Sequence, residues 1–524
     1  MIREPPVTAV QAALRRRNLL LAPLYILLAL IIVVGLVCTI LGAILLWQLA
    51  QNRTPYYADI VDEFKYGSIG AETHGGIPYR VWLALPALFP EAFAGRSDYS
   101  AFGFLYETDD EGRQRDLPIG ISRRTYRNVD VVWFNCATCH TGTVKTTMPG
   151  SDQRMRTGTH VIPGMPSNNL ELERFIRFVL DAGADERMSA DPLLAAMNKT
   201  GPEIGPIEEF VYRWYVIPLL REGLVSRRTR LLPLLDQQPA WGPGRVDTFN
   251  PYKLIQANMP LASLNKDELI GVADFPAIFN QGPREGMHLH WDGNNTSLAE
   301  RNLSAAMGAG VTPDSADHPT INRVADWLKA LRPPPSPYRP EPAAVARGRE
   351  IYKSQCQACH GFQDARTYTF TGEMLGQVEP NNKLGTDPAR LNSYTPAFRD
   401  YQVTHFFAGT PYQFKEFKKT DGYANLPLDG LWLRAPYLHN GSVPTLADLL
   451  NAPDQRPVAF IRGADTLDPA RGGFVAPPCV PSSEPADRFC YDTRQPGNHN
   501  GGHLYGVTLP ADQKSDLLAY LLTF

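Results

Sequence analysis

Cys136-Ala137-Thr138-Cys139-His140 and Cys356-Gln357-Ala358-Cys359-His360 each set two thiols three positions apart and follow them directly with an imidazole. C-x-x-C-H is the spacing at which a c-type haem is attached. Cys136 and Cys139, and likewise Cys356 and Cys359, would bond covalently to porphyrin vinyl groups. His140 and His360 would then ligate each iron from one face. With 7 Cys and 11 His in 524 residues, even one accidental match is improbable. Two matches in separate halves point to two covalently bound haem c groups. A pair of zinc or thioredoxin-like C-x-x-C sites would leave both histidines unexplained.

What such haems do depends on the sixth iron position. Two strong ligands restrict an iron to electron transfer, whereas an open position admits peroxide or dioxygen. For the second haem the candidates are His503, His439, Met374, His405 and His499. His503 ranks first, because its glycine-rich loop lets backbone approach a haem face closely. His439 is the alternative and Met374 third. For the first haem no ligand stands out among His160, Met165, His288 and His290. The stretch from Arg284 to Asn295 concentrates acid, imidazole and indole. There Glu285, His288 or His290 is a candidate acid/base in O–O cleavage, and Trp291 a candidate electron relay. A polar loop around a packed tryptophan is the simpler reading of each residue taken singly.

The elements that must position these groups leave their own marks. Leu19 to Trp47 is a run of 29 residues without a charged side chain, preceded by Arg15, Arg16 and Arg17. That length suits a single membrane span with the N-terminus in the cytoplasm and the rest beyond the bacterial inner membrane, in the periplasm. A cleaved signal peptide would have a shorter apolar region. Roughly 475 residues follow, too many for one ordinary core. Residues 332–342 hold six prolines in eleven positions and read as a stiff connector. The expected organisation is therefore an anchor at 1–50, a first haem domain with large insertions at 51–331, the linker at 332–342, and a second cytochrome c domain at 343–524. The expected class is mainly α with long loops.

Within that frame, 321–331 and 510–524 read as amphipathic helices, and 343–352 as the helix leading into Cys356. Before Cys136, the run from Val129 to Phe134 is β-branched and aromatic, hence extended. Helices are also expected over 170–180 and over 208–217, the latter ended by Pro218. Cys479 and Cys490, on an oxidising side, are expected to pair, with two free thiols as the alternative. A net charge of −3 offers no basic stripe for nucleic acid.

The two C-x-x-C-H sites, the Ala435-Pro436-Tyr437-Leu438-His439-Asn440-Gly441-Ser442 stretch and the terminal helix resemble bacterial di-haem cytochrome c peroxidases and their relatives. The segment from His288 to Asn295 and the Asn500-Gly501-Gly502-His503 loop look closest to rubber-oxygenase-like di-haem cytochromes. The resemblance covers roughly residues 75–524. It implies that His140 serves a reactive haem, while His360 and His503 bracket an electron-transfer haem. In the peroxidases a ligating methionine follows the alanine-proline-tyrosine stretch. None follows His439 here, which favours a histidine ligand. A membrane anchor is general in neither group.

Three activities remain in competition. A peroxidase would take electrons from a small redox protein or the quinone pool to reduce hydrogen peroxide. An oxygenase would use dioxygen to cleave an apolar alkene. A non-enzymatic carrier would have both irons saturated. The peroxidase-like reading is preferred.

Overall fold

A computed structural model of the protein describes residues 7–109, 111–149, 155–363, 369–481 and 488–524. The chain is helix-rich, at 44%. It divides into two units, Met1–Thr54 with Thr125–Asp130, and Pro55–Arg124 with Val131–Phe524.

In the first unit one helix spans Val7–Leu49. Its Leu14–Ile44 portion is long and apolar enough to cross a bilayer. A signal sequence near an N-terminus meets the same criterion.

In the second unit, helix Pro342–Gln355 lies across helix Ala511–Leu521. Gly348 makes the crossing possible, because a Cβ there would sit 1.9 Å from the Asp516 carbonyl oxygen. Tyr352 packs on Tyr520 and Phe524 at 5.2 and 5.4 Å, and Arg347 pairs with Asp516 at 2.7 Å. The core beneath joins Tyr352, Leu517 and Leu521 to Trp432 and Leu433. It also takes in Val144, Met165 and Phe279 from before the proline-rich stretch. That stretch is a strap laid on this core: Trp432 Nε1 donates to Pro334 O at 3.2 Å.

The helix expected near 321–331 spans His318–Ala330 and stands behind the first motif as the terminal helix stands behind the second. Val324 and Leu328 are buried with Phe64, Ile119 and Ala137, and Cys136 packs against the same cluster. Its partner is the short helix Ile60–Tyr66, some seventy residues before the motif. Directly before the motif Val129–Phe134 is a strand, with Val131 and Val132 paired to Pro78 and Ile77.

The inserted mass between the motifs is built on helix Leu172–Ala184 packed against Ile217–Leu235. One expectation is corrected here, since Pro218 does not end the preceding helix. Pro206–Val211 runs through a π-helical turn, Tyr212–Val216, straight into Ile217–Leu235. In that turn the Ile217 N–H reaches back to Tyr212 O. The wider turn absorbs the donor that proline lacks. Cys479 and Cys490 form a disulfide, with Cα atoms 5.9 Å apart.

Candidate haem sites

Helix Pro342–Gln355 delivers Cys356, and a single helical turn, Gln357–His360, presents the rest of the second motif. His360 Nδ1 lies 2.9 Å from Leu426 O. A carbonyl only accepts, so Nδ1 carries the proton and Nε2 keeps its lone pair for a metal. The ring facing His360 belongs to His503, with centroids 6.2 Å apart. Two metal–nitrogen bonds of about 2 Å, plus about 1 Å from each nitrogen to its ring centre, span about 6 Å. The pair therefore fits one iron between them. Burial is the main cause that pushes both imidazoles down, His503 to about 3, which keeps them in the neutral, ligating form.

His503 is held from behind. Its backbone is left-handed, with φ +50°, and its N–H donates to Leu384 O at 2.8 Å. Gly502 fits so closely under Gly385 that a Cβ would lie 2.4 Å from that residue's carbonyl carbon. The buried Arg456 guanidinium spends all five N–H donors on backbone carbonyls: Leu449, Asn451, Asn500, Gly502 and His503.

At the first motif, Asn135 caps the turn Cys136–Thr138 by accepting from Ala137 N, and its amide donates to Gly67 O at 3.0 Å. His140 Nδ1 donates to Pro276 O at 2.9 Å, so both motif histidines are oriented by the same device. Burial, then the charge of Arg301, pushes His140 down to about 3. The charge of Arg301 also acts on Cys136 and His290. His290 sits at φ +63° and its Nε2 is buried without a partner. Burial, with help from Arg301 and Arg390, holds it well below its usual range and hence neutral. Arg301 is itself lowered to about 10 by burial and by Arg284. Thr141 Oγ1, Asn280 Nδ2, Gln281 Nε2 and both amide atoms of Asn294 are likewise buried and unpaired.

The thiols lack the environment of a redox-active C-x-x-C pair. Burial pushes Cys136 up to about 11 and Cys139 and Cys356 to about 12, the opposite of an activated thiolate. Among the described residues no cluster of three or more His, Cys, Asp or Glu is arranged to hold a free metal ion.

Between the two sites the chain repeats itself. Leu289–Asn295 and Tyr437–Val443 each close on a β-bridge, with positive φ at the second and fifth positions: His290 and Gly293, Leu438 and Gly441. Trp291 thus stands where His439 stands in the second copy. Asp274 ties the copies together, because its carbonyl accepts from Trp291 Nε1 at 2.8 Å and its N–H donates to His439 O at 2.9 Å. A second link is the buried Asp429 carboxylate, shared by Arg284 and Arg434.

The remaining sequence candidates are placed as follows. His439 is buried, stacked on Tyr423 at 4.2 Å, and its Nε2 is 3.0 Å from the Tyr423 hydroxyl. His499 pairs with Asp387 at 3.3 Å and is largely exposed. His405 stacks on Tyr401 at the surface, and Met374 N donates to Ala358 O inside the second motif. His160 Nε2 lies 3.1 Å from Thr146 O, and Met165 is in the core. His288 Nδ1 donates to Gly293 O at 2.7 Å, and Glu285 is exposed. Sequence reasoning missed Arg456, Arg301 and the Arg284–Asp429–Arg434 link. The spacing shared by the two repeated loops was the one available signal, and it marks the region but not these side chains.

A family model described as RoxA-like, cytochrome c-like matches residues 422–461, which include Leu426, the carbonyl partner of His360, and the second repeated loop. This supports a rubber-oxygenase-like cytochrome c relationship for that segment and a haem c redox role. Two uncharacterized proteins of Sinorhizobium fredii (strain NGR234) are similar. One, y4iM, is 28% identical over 48% of this chain and 64% of its own length. The other, y4iJ, is 28% identical over 34% of this chain and 38% of its own. The chain thus spans less than two thirds of either relative.

Proposed function

We propose that this chain is a di-haem c-type cytochrome that reduces hydrogen peroxide, with the two haems dividing electron transfer and reaction. Cys356, Cys359, His360 and His503 hold the second, and Cys136, Cys139 and His140 the first, in two domains joined by the 332–342 strap. The observation that carries the reading is the facing His360–His503 pair at 6.2 Å, with both motif histidines locked through Nδ1. The first haem would supply redox chemistry at the site that Cys136, Cys139 and His140 would hold.

The chain's own groups do the rest. His290, neutral and with Nε2 unpaired, takes the proton of incoming peroxide. Arg301 offsets negative charge developing on the departing oxygen. Two electrons and two protons turn one hydrogen peroxide into two waters. A small redox protein or the quinone pool provides the electrons, and Trp291, hydrogen-bonded at the junction, relays them between the halves. His288, tied to Gly293, shapes the loop, and exposed Glu285 takes no part. The N-terminal apolar helix anchors the chain in a bacterial inner membrane, with the bulk in the periplasm.

The RoxA-like match favours a second reading, cleavage of an apolar alkene by dioxygen. Resting-state EPR, with turnover assays on peroxide plus a reduced cytochrome and on dioxygen plus a polyisoprenoid, tests both. One low-spin and one peroxide-responsive iron, with peroxide consumption, is expected. Two saturated irons inert to both oxidants would leave only an electron carrier. Oxygen uptake dependent on the alkene would move the assignment to the oxygenase.

A further inference from the structure

Helix Pro206–Val211, the π-helical turn Tyr212–Val216 and the start of helix Ile217–Leu235 present an apolar face that is exposed among the described residues. Ile207 is 76% exposed, Phe210 55%, Trp214 63%, Tyr215 58% and Leu219 66%. These residues follow helical spacing along one side, and the π turn sets Trp214 and Tyr215 outward together. Five large side chains exposed to this degree amount to roughly 500 Å² of contiguous apolar surface, at the upper end of what a monomer leaves open. The haem chemistry uses none of it.

We propose that this face rests in the headgroup–acyl boundary of a lipid bilayer. Three observations select that occupant. The face combines Trp, Tyr and Phe, side chains with an apolar body that concentrate at membrane interfaces. Polarity returns along the same side at exposed Glu222, Ser226 and Thr229, so the apolar surface ends as an interfacial helix ends. The guanidiniums of helix Ile217–Leu235 turn back to the protein, Arg221 to Gly183 O, Arg227 to His74 O, Arg228 to Asp181 and Arg230 to Asn258, so no cation interrupts the apolar side. On the anchor reading proposed above, the N-terminal helix would hold such a face at high effective concentration near a bilayer. Arg213 is spent internally on Asp191 and Glu209 and leaves the apolar face uncharged.

The test uses the full chain with a nitroxide at Phe210→Cys in a Cys38→Ala background, reconstituted in phosphatidylcholine–phosphatidylglycerol vesicles. An unchanged haem spectrum certifies the fold. Collisions with oxygen exceeding those with a water-soluble nickel chelate several-fold are expected. That ratio should fall towards one when Trp214 and Leu219 are both changed to Ser. A label as open to the chelate as an aqueous loop overturns the proposal. So does a label shielded from both relaxants with dipolar broadening, which would assign the face to a second copy of the chain.

Discussion

Arg456→Ala should loosen the second haem site without touching a ligand. The guanidinium is buried at 3% exposure and donates to five carbonyls. The bonds to Leu449 and His503 are long, at 3.3 and 3.5 Å, and count for little. Those to Asn451, Asn500 and Gly502 are well formed. At about 1–1.5 kcal/mol for each of these three, truncation costs about 3–4 kcal/mol, because the carbonyls stay buried without a donor. That is a large share of the 5–15 kcal/mol typical of a folded domain. Asn500, Gly502 and His503 lie on the loop that aims the imidazole, so the loss is concentrated there. Two measurements follow it: the denaturant midpoint, and the low-spin EPR signal of the second haem at a denaturant concentration where the variant stays folded. The midpoint should fall and the low-spin signal should weaken in favour of high spin. Arg456→Lys, which keeps the charge but has three donors, should fall between. An unchanged low-spin signal in a destabilised Arg456→Ala protein would mean that His503 is held by something else, and an unchanged midpoint would refute the hydrogen-bond accounting.

Four further outcomes follow from the same geometry. His503→Ala should convert the second haem to high spin in visible and EPR spectra while His439→Ala leaves it low spin, and the reverse pattern would exchange their roles. His290→Gln should lower kcat/KM for peroxide by about 10²–10⁴-fold with both haems retained, and a wild-type rate would exclude it from proton transfer. Gly348→Val should destabilise the second unit by about 3 kcal/mol or more, read in thermal unfolding, because the Asp516 carbonyl oxygen lies where its Cβ would stand. Glu72 is buried against Ser68 and Ser122, and burial raises its carboxyl above the usual value of 4.5. A raised folded-state value means folding is opposed once pH climbs past the unfolded-state carboxyl range, and not below it. Glu72→Gln should therefore gain stability relative to the parent as pH rises from 4 to 7, and a gain that grows on acidification would reverse that sign.

Much of the chemistry lay open in the linear order of residues. C-x-x-C-H is a local device, since two thiols and an imidazole must fall within five positions to grip one porphyrin edge and its iron. The helices at 318–330, 342–355 and 511–521 were readable because each buries one face at a period of 3.6. Helix Ile60–Tyr66 was not. It is too short to show periodicity, and its partner, His318–Ala330, is more than 250 positions away. The course past Pro218 was misjudged because a π turn, invisible to periodicity, removes the penalty that proline normally imposes.

The proposal of haem attachment thus rests on five-residue words, which the sequence alone supplies, together with the apolar helix and the amphipathic faces. Which imidazole faces His360, which arginine clamps its loop, and which groups surround His140 were settled only by folding. Those neighbours come from segments tens to hundreds of residues apart. Burial, not spacing, decides which of eleven histidines stay neutral and unpaired, with a nitrogen left to give.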